Sequence, residues 1–119
     1  PIKSLVDFVR QKKTISICFP RNINNYKKFV DNVKPDIISI DYNVDPSIIR
    51  DTIDIPVQGG IDPKVLLQNK EIVRNEVTKY LKTFDKKRYI FNLGHGVLPD
   101  TNPDMVKYLV DEVRSFNGQ

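Results

Sequence analysis

Short apolar segments alternate with segments of helical periodicity along the whole chain. The apolar segments are predicted strands, and they lie at Thr14–Phe19, Asp36–Tyr42, Ile55–Gln58 and Arg88–Leu93. Around them, apolar residues recur every three or four positions, which indicates amphipathic helices. The predicted order is therefore α-β-α-β-α-β-α-β-α, with a further helical turn after Asp62-Pro63. Alternation of this kind is typical of parallel strands joined by helical crossovers.

Two α/β architectures fit this alternation: a small open doubly wound sheet, or half of a (β/α)8 barrel. A full barrel needs about 250 residues, whereas this chain has 119. The pattern alone slightly favours the open sheet, because that architecture is complete at this length. The first helical pattern begins at Ile2 with no residue upstream that could cap it, which suggests that the chain was cut from a longer protein.

Composition narrows the classes of function. Cys18 is the only cysteine, which excludes an intramolecular disulfide and a thiolate metal cluster. We expect Cys18 to be a packed thiol in the first strand. No apolar run approaches the roughly 20 residues of a membrane span. The net charge of +4 is attributed mainly to solvated surface residues. The chain lacks the runs of basic residues that are typical of a nucleic-acid-binding protein. A soluble, cytoplasmic protein without metal, membrane or nucleic-acid partners is expected.

In both architectures, the functional residues lie beyond the carboxyl ends of the strands. The four predicted strands lead into polar or glycine-rich segments, which read FPRN (19–22), DYN (41–43), QGG (58–60) and GHG (94–96). Parallel strands end at the same edge of a sheet, so we expect these segments to form one site.

His95 is the main candidate residue of that site. It is the only histidine of the chain, and an imidazole can hydrogen-bond a carboxylate or transfer a proton. We expect the flanking Gly94 and Gly96 to turn the backbone sharply and to let a bound group approach closely. The alternative is a histidine that bonds only to the carbonyls of its own loop.

Arg21, Gln58 and Asp41 are weaker candidates. Arg21 could clamp an anionic substrate, or it could form a surface salt bridge. Gln58 and the two following glycines could present amides to an anion, although tight turns use the same residues. Asp41 could act as an acid–base group, or it could accept hydrogen bonds from loop amides.

Other conspicuous residues have structural interpretations. Acidic residues beside prolines are predicted to cap helices or to favour the helix dipole, and they are Asp45, Asp62, Asp100 and Asp104. Large side chains at helical spacing are predicted core or interface residues, and they are Tyr80, Phe84 and Met105.

Four segments resemble the uroporphyrinogen decarboxylase family, in the right order and over essentially the whole chain. RYIFNLGHGVLPD (88–100) is similar to the family's C-terminal strand and loop, and VQGGIDPKVLL (57–67) to its VQGNLDP segment, with Gly60 in place of Asn. FPR (19–21) and SIDY (39–42) resemble its GFPRG and SLDW strands, with Asn22 for Gly and Tyr42 for Trp. The resemblance overturns the slight preference for an open sheet and implies a (β/α)8 TIM barrel. Residues 1–119 are then a C-terminal fragment of that single domain, the half that holds strands five to eight and their helices.

The resemblance also implies an activity. The family is a carboxy-lyase that uses no metal and no organic cofactor. It decarboxylates the four acetate side chains of uroporphyrinogen III to give coproporphyrinogen III in haem biosynthesis. His95 matches the family's active-site histidine, which implies a ligand for a substrate carboxylate. Arg21, Gln58, Gly94 and Gly96 are weaker substrate-binding candidates.

The same resemblance places the family's catalytic aspartate and its arginines in the missing N-terminal half. No catalytic residue is therefore assigned in this half, and Asp41 does not replace the aspartate. We expect the chain alone to be inactive, and the intact enzyme to be a homodimer. One alternative is a non-catalytic fragment that acts only through self-association, because half a barrel exposes side chains of the barrel interior. Another is a relative of zinc-dependent, corrinoid-linked methyltransferases, whose cysteine pattern this chain lacks.

Overall fold

A computed structural model describes residues 1–116 and confirms the α/β alternation. The last three residues of the predicted domain 1–119 lie outside the described residues. The five helices are α1 (Ile2–Gln11), α2 (Tyr26–Val33), α3 (Pro46–Thr52), α4 (Lys70–Thr83) and α5 (Pro103–Ser115). The four strands are β1 (Ile17–Cys18), β2 (Ile37–Ile40), β3 (Val57–Gly59) and β4 (Tyr89–Ile90), and a 3-10 helix covers Pro63–Leu67.

The four strands form one parallel sheet in the order β1-β2-β3-β4. Each strand therefore lies beside its neighbour in the sequence. A doubly wound sheet instead reverses its strand order at a switch point. The open doubly wound architecture is wrong for this chain, because apolar periodicity predicts which segments are strands but not which strands become neighbours.

All four strands are shorter than predicted, most clearly at the two edges of the sheet. β1 and β4 have two residues each, where the apolar segments have six. An edge strand has a hydrogen-bonding neighbour on one side only, so ladder pairing ends before the apolar segment does. In the β1 segment the prediction extends to Phe19, and Pro20 then removes a backbone donor.

One face of the sheet is covered by helices. Ile38, Ile40 and Val57 project from this face and are fully buried. They pack in a single cluster against side chains of α2, α3 and α4 and of the residues that end α3 and α4, and these side chains include Tyr26, Ile49, Ile53, Tyr80 and Phe84. Tyr80 and Phe84 are therefore core residues, as predicted. Burial of each such side chain contributes about 1.5–3 kcal/mol, which makes this cluster the main source of stability.

A second apolar cluster joins α5 to α4. Its buried members are Leu66, Val73, Val77 and Leu109. Met105 packs against it from the rim, which agrees with the prediction of a core or interface residue. No helix within residues 1–116 is long and apolar enough to cross a membrane.

Several predicted caps are present. Asp45 accepts a hydrogen bond from the Ser47 N–H at the start of α3, and Asp62 accepts one from the Lys64 N–H at the start of the 3-10 helix. At α5 the cap is Asn102, as the Asn102-Pro103 pair predicts: Asn102 directly precedes Pro103 and accepts from the Asp104 N–H, whereas Asp100 is not the capping residue of this helix. Asp104 lies in the first turn of α5, where an acid is favourable.

Candidate functional site

An open cavity of about 560 Å³ lies beside the carboxyl ends of the four strands. The polar side chains on its wall are Arg21, Ser39, Gln58, Asn92 and His95. Ile17, Phe19 and Leu93 add apolar surface, and Gly96 completes the rim. Of the five predicted binding residues, the structure brings Arg21, Gln58, His95 and Gly96 together around this cavity, whereas Gly94 is not part of its wall.

The parallel register explains why residues from distant segments meet here. Ser39 pairs with Gln58, and Gln58 pairs with Ile90, so these side chains lie in one row across the sheet. Their row faces away from Ile38 and Val57, because successive residues of a strand point to opposite faces. The cavity therefore lies on the open face of the sheet, at the end where the strands lead into their loops.

Ser39 and Gln58 form a hydrogen-bonded pair on the cavity wall. The Gln58 Nε2 donates to the Ser39 Oγ at 3.4 Å, and Ser39 is buried. Sequence reasoning missed Ser39 as a site residue, although it is the only polar residue within the IISI strand. It also missed Asn92, which is the first residue of the NLGHG segment and accepts from the Leu93 N–H at 2.9 Å.

Arg21 sits at the start of the loop that follows β1. The next residue, Asn22, has a φ of +57°, in the left-handed region. Asparagine enters this region at less cost than most residues other than glycine. An asparagine at position 22, where the similar GFPRG segment has glycine, is therefore compatible with the backbone conformation of this loop.

The two glycines that flank His95 differ in their surroundings. A Cβ on Gly94 would lie 2.6 Å from the backbone nitrogen of Tyr42, whereas a Cβ on Gly96 would meet no atom within 4 Å. Neither glycine has a left-handed φ. The close approach at Gly94 in this structure is made by Tyr42, in the loop after β2. Contact of either glycine with a bound group stays a prediction.

Asp41 forms hydrogen bonds that stabilise the backbone at the end of β2. Its Oδ1 accepts from the Tyr42 N–H at 2.8 Å, and its own N–H donates to the Tyr26 hydroxyl at 3.0 Å. Asp41 is buried and does not line the cavity. Of the two interpretations of Asp41, the structure supports the acceptor of backbone donors.

Arg21 is the only lysine or arginine in the described loops that follow the strands, residues 19–25, 41–45, 60–62 and 91–102. The same loops contain four aspartates. Three of these, Asp41, Asp45 and Asp62, accept backbone hydrogen bonds at a strand end or at a helix start. An anion that enters the cavity from this half would therefore find one formal positive charge, at Arg21.

Cys18 lies on the covered side of the sheet, paired with Ile38, and is half-buried against the main core. Burial raises the pKa of its thiol, and the negative charge of Asp36 raises it further. This agrees with a packed thiol. Within residues 1–116, no three His, Cys, Asp or Glu side chains are grouped so that they could hold a metal ion.

The sequence model of the family described as uroporphyrinogen decarboxylase matches residues 1–116 of this chain. Relatives named uroporphyrinogen decarboxylase are similar over nearly the full chain. The protein of Rickettsia felis is 40% identical over 120 residues, that of Rickettsia massiliae 39% and that of Rickettsia canadensis 38%. Each alignment covers 98% of this chain but 35% of the relative. The chain thus spans about a third of the length of these curated relatives.

Proposed function

Because the chain belongs to the uroporphyrinogen decarboxylase family, we propose that residues 1–119 are the C-terminal half of such an enzyme's (β/α)8 barrel, with strands five to eight and their helices. The sequential order of four parallel strands supports this assignment, because consecutive strands of a (β/α)8 barrel are neighbours. Helices on one face and an exposed opposite face also fit a sheet that closes around its open face. The intact enzyme is proposed to be a cytoplasmic homodimer.

The proposed reaction is the decarboxylation of the four acetate side chains of uroporphyrinogen III to methyl groups, which gives coproporphyrinogen III. In each step the bond between the methylene carbon and the carboxylate breaks and CO₂ leaves. The electron pair passes into the pyrrole, which has been protonated at carbon. A proton then reaches the methylene carbon, and the ring carbon loses the proton it had gained, so that each step consumes one proton and restores the neutral pyrrole. The protein binds and orients the substrate and delivers protons, with no metal or organic cofactor.

The convergence of Arg21, Gln58 and His95 on one cavity is the observation that carries this proposal. The Arg21 guanidinium is suited to a bidentate contact with a substrate carboxylate. His95 would bind a second carboxylate through a ring N–H. Gln58 would add a neutral amide contact, and Gly96 leaves space at the rim for the macrocycle. The residues that act on the pyrrole are proposed to belong to the N-terminal half, so this chain alone is proposed to be inactive.

A chimera tests this proposal directly. The chain would replace the 120 residues with which it aligns in the Rickettsia felis relative, and coproporphyrinogen formation would be measured. We expect an active chimera, and no turnover by the chain alone. His95→Ala or Arg21→Gln in the chimera should lower kcat/KM by about tenfold or more, as expected when a charged or acid–base contact is lost.

Arg50→Gln is the matched control for Arg21→Gln, because Arg50 is an exposed arginine on α3 that pairs with its neighbour Asp51. It should leave kcat/KM unchanged. Wild-type kinetics in the His95→Ala chimera would refute the role given to His95. Turnover by the 119-residue chain at the rate of the chimera would refute its inactivity.

A second candidate function is association through the open face. The exposed fraction is high for four large apolar side chains in or directly beside the strands β1 and β4, with values of 69%, 50%, 41% and 42% for Ile15, Ile17, Phe19 and Ile90. In the proposed barrel the N-terminal half would cover them. In its absence, a second copy of the chain is proposed to do so.

A further inference from the structure

The carboxyl end of β3 is a two-glycine turn whose carbonyl groups are held by tyrosines that lie outside the cavity. Gly59 and Gly60 have φ values of +88° and +104°. The Tyr89 hydroxyl donates to the Gly59 carbonyl at 2.6 Å, and the Tyr80 hydroxyl donates to the Gly60 carbonyl at 2.7 Å. Two consecutive peptide groups are thus fixed by side chains from two other elements, β4 and α4.

Both tyrosines are held firmly by the main core. Tyr80 is 3% exposed, and the ring of Tyr89 stacks on that of Phe84 with 4.5 Å between the ring centroids. Burial raises the pKa of both phenols, so both remain protonated donors at neutral pH. Removal of either hydroxyl would leave a carbonyl of the turn without this partner, in a place that water reaches poorly.

The turn has little space for another arrangement. A Cβ on Gly60 would lie 2.7 Å from the Tyr80 ring and 2.9 Å from the Ile40 side chain. A Cβ on Gly59 would lie 3.2 Å from the carbonyl oxygens of Ile40 and Leu93. The Tyr80 ring therefore occupies the position of any side chain at residue 60, and its hydroxyl supplies a polar contact to the backbone there.

The residues on either side of the turn lead to the cavity. Gln58 directly precedes Gly59, and its amide bonds to Ser39 on the cavity wall. Ile61 directly follows Gly60, and its carbonyl accepts from the Gly94 N–H at 2.6 Å, next to His95. A rotation of either glycine peptide would therefore displace Gln58 on one side and the His95 segment on the other.

We propose that Tyr80 and Tyr89 are positioning residues: from the covered side of the sheet, their hydroxyls fix the Gly59 and Gly60 carbonyls and thereby orient Gln58 and the His95 loop at the cavity. The inference rests on the proposed function for the binding roles of Gln58 and His95. The mechanical link from the tyrosines to these residues is measurable without any ligand.

The first experiment uses the isotopically labelled 119-residue chain and its Tyr80→Phe and Tyr89→Phe variants, which keep both rings. We expect hydrogen exchange of the Gly94 N–H to become about tenfold faster, as for the loss of one buried hydrogen bond. The side-chain amide resonances of Gln58 should shift in the same variants. Exchange of the Ile38 N–H, which bonds to Pro56 at the other end of β3, serves as the internal reference.

Tyr108→Phe is the matched control, because it removes one hydroxyl from the second cluster on α5. It should change neither readout. Equal acceleration at Ile38 and Gly94 would show only a general loss of stability and would overturn the positioning role. Unchanged Gly94 exchange and unchanged Gln58 resonances would overturn it as well.

The second experiment measures binding of uroporphyrin, a stable octacarboxylate, by fluorescence titration. Wild-type chain should bind it, and Tyr80→Phe should weaken the Kd about fivefold, whereas Tyr108→Phe should not. Failure of the wild-type chain to bind uroporphyrin would contradict the proposed function, while accelerated Gly94 exchange would still support the positioning link. Wild-type binding that both tyrosine variants retain unchanged would contradict the positioning role and leave the proposed function standing.

Discussion

The two faces of the sheet are built from alternate residues of the same strands, yet they differ in the burial and in the polarity of their side chains. On the covered face, Ile38 and Val57 are completely buried. On the open face, Ile17 and Ile90 are about half exposed, and Ser39 and Gln58 form a polar pair between them. A very short strand can therefore supply stability with the side chains on one face and a binding surface with those on the other.

The difference extends to the kind of contact at each strand end. Under the covered face, Tyr26, Tyr80 and Tyr89 use their hydroxyls to bind backbone groups at the ends of β2 and β3. On the open face, Arg21 and His95 are exposed beside the cavity. The covered face therefore fixes the backbone from which the exposed groups project.

The largest expected effect compares one isoleucine from each face. Ile38→Ala should lower the free energy of unfolding by about 2–5 kcal/mol, because it leaves a cavity in the main core. Ile17→Ala on the open face should change it by less than about 0.5 kcal/mol. Urea unfolding followed by circular dichroism measures both. Similar losses in the two variants would mean that the open face is also a packed core, and the comparison would fail.

The next effect concerns the two glycines beside His95. Gly94→Ala should destabilise the fold by about 1–3 kcal/mol, because its Cβ would press on the Tyr42 backbone and the loop must shift. Gly96→Ala should be close to neutral, because the added methyl group enters open space. The two substitutions are chemically identical and two residues apart, so the pair controls for the intrinsic effect of alanine.

Thermal or urea unfolding of the two glycine variants measures this difference. A neutral Gly94→Ala would show that the loop after β2 can shift to make room for the added methyl group. A destabilising Gly96→Ala would show that a partner covers the rim of the cavity.

Much of this architecture could be predicted because it depends on local sequence. The caps at Asp45 and Asp62 follow from an acid beside a proline, and the helices follow from apolar periodicity. The meeting of Arg21, Gln58 and His95 could also be predicted, because the carboxyl ends of parallel strands share one edge of the sheet. The observed strand order and one-sided helical covering depend on how the elements pack, which periodicity does not encode.

The rest depends on contacts between residues far apart in the chain. Gly94 is required by Tyr42, which lies 52 positions earlier, and no local pattern indicates that approach. Ser39 faces the cavity because of its register with Gln58, and a register shift of one residue would reverse its side. The tyrosine contacts to Gly59 and Gly60 cannot be predicted from the sequence for the same reason. Periodicity predicts that Tyr80 is buried, but not which group its hydroxyl binds.

A moderate effect is expected on association. The wild-type chain should associate in a concentration-dependent manner in sedimentation equilibrium, because its apolar open face is uncovered. Ile17→Glu should weaken the association constant about tenfold, or roughly 1.4 kcal/mol. Ile48→Glu is the control, because Ile48 is 60% exposed and lies on α3, one of the helices that cover the opposite face of the sheet. A monomeric wild-type chain, or equal losses in both variants, would contradict association through the open face.

An effect of similar size concerns Cys18, whose side chain lies on the covered face of the sheet beside Ile38. Since burial and Asp36 raise the pKa of its thiol, less thiolate is present in the folded chain than in the unfolded chain at pH 8. Alkylation by iodoacetamide should therefore be slower in buffer than in urea by about tenfold. Asp36→Asn should recover only part of this difference, because burial is the larger cause. Equal rates in buffer and in urea would show that this edge of the covered face opens to solvent, and that β1 is less firmly packed than β2 and β3.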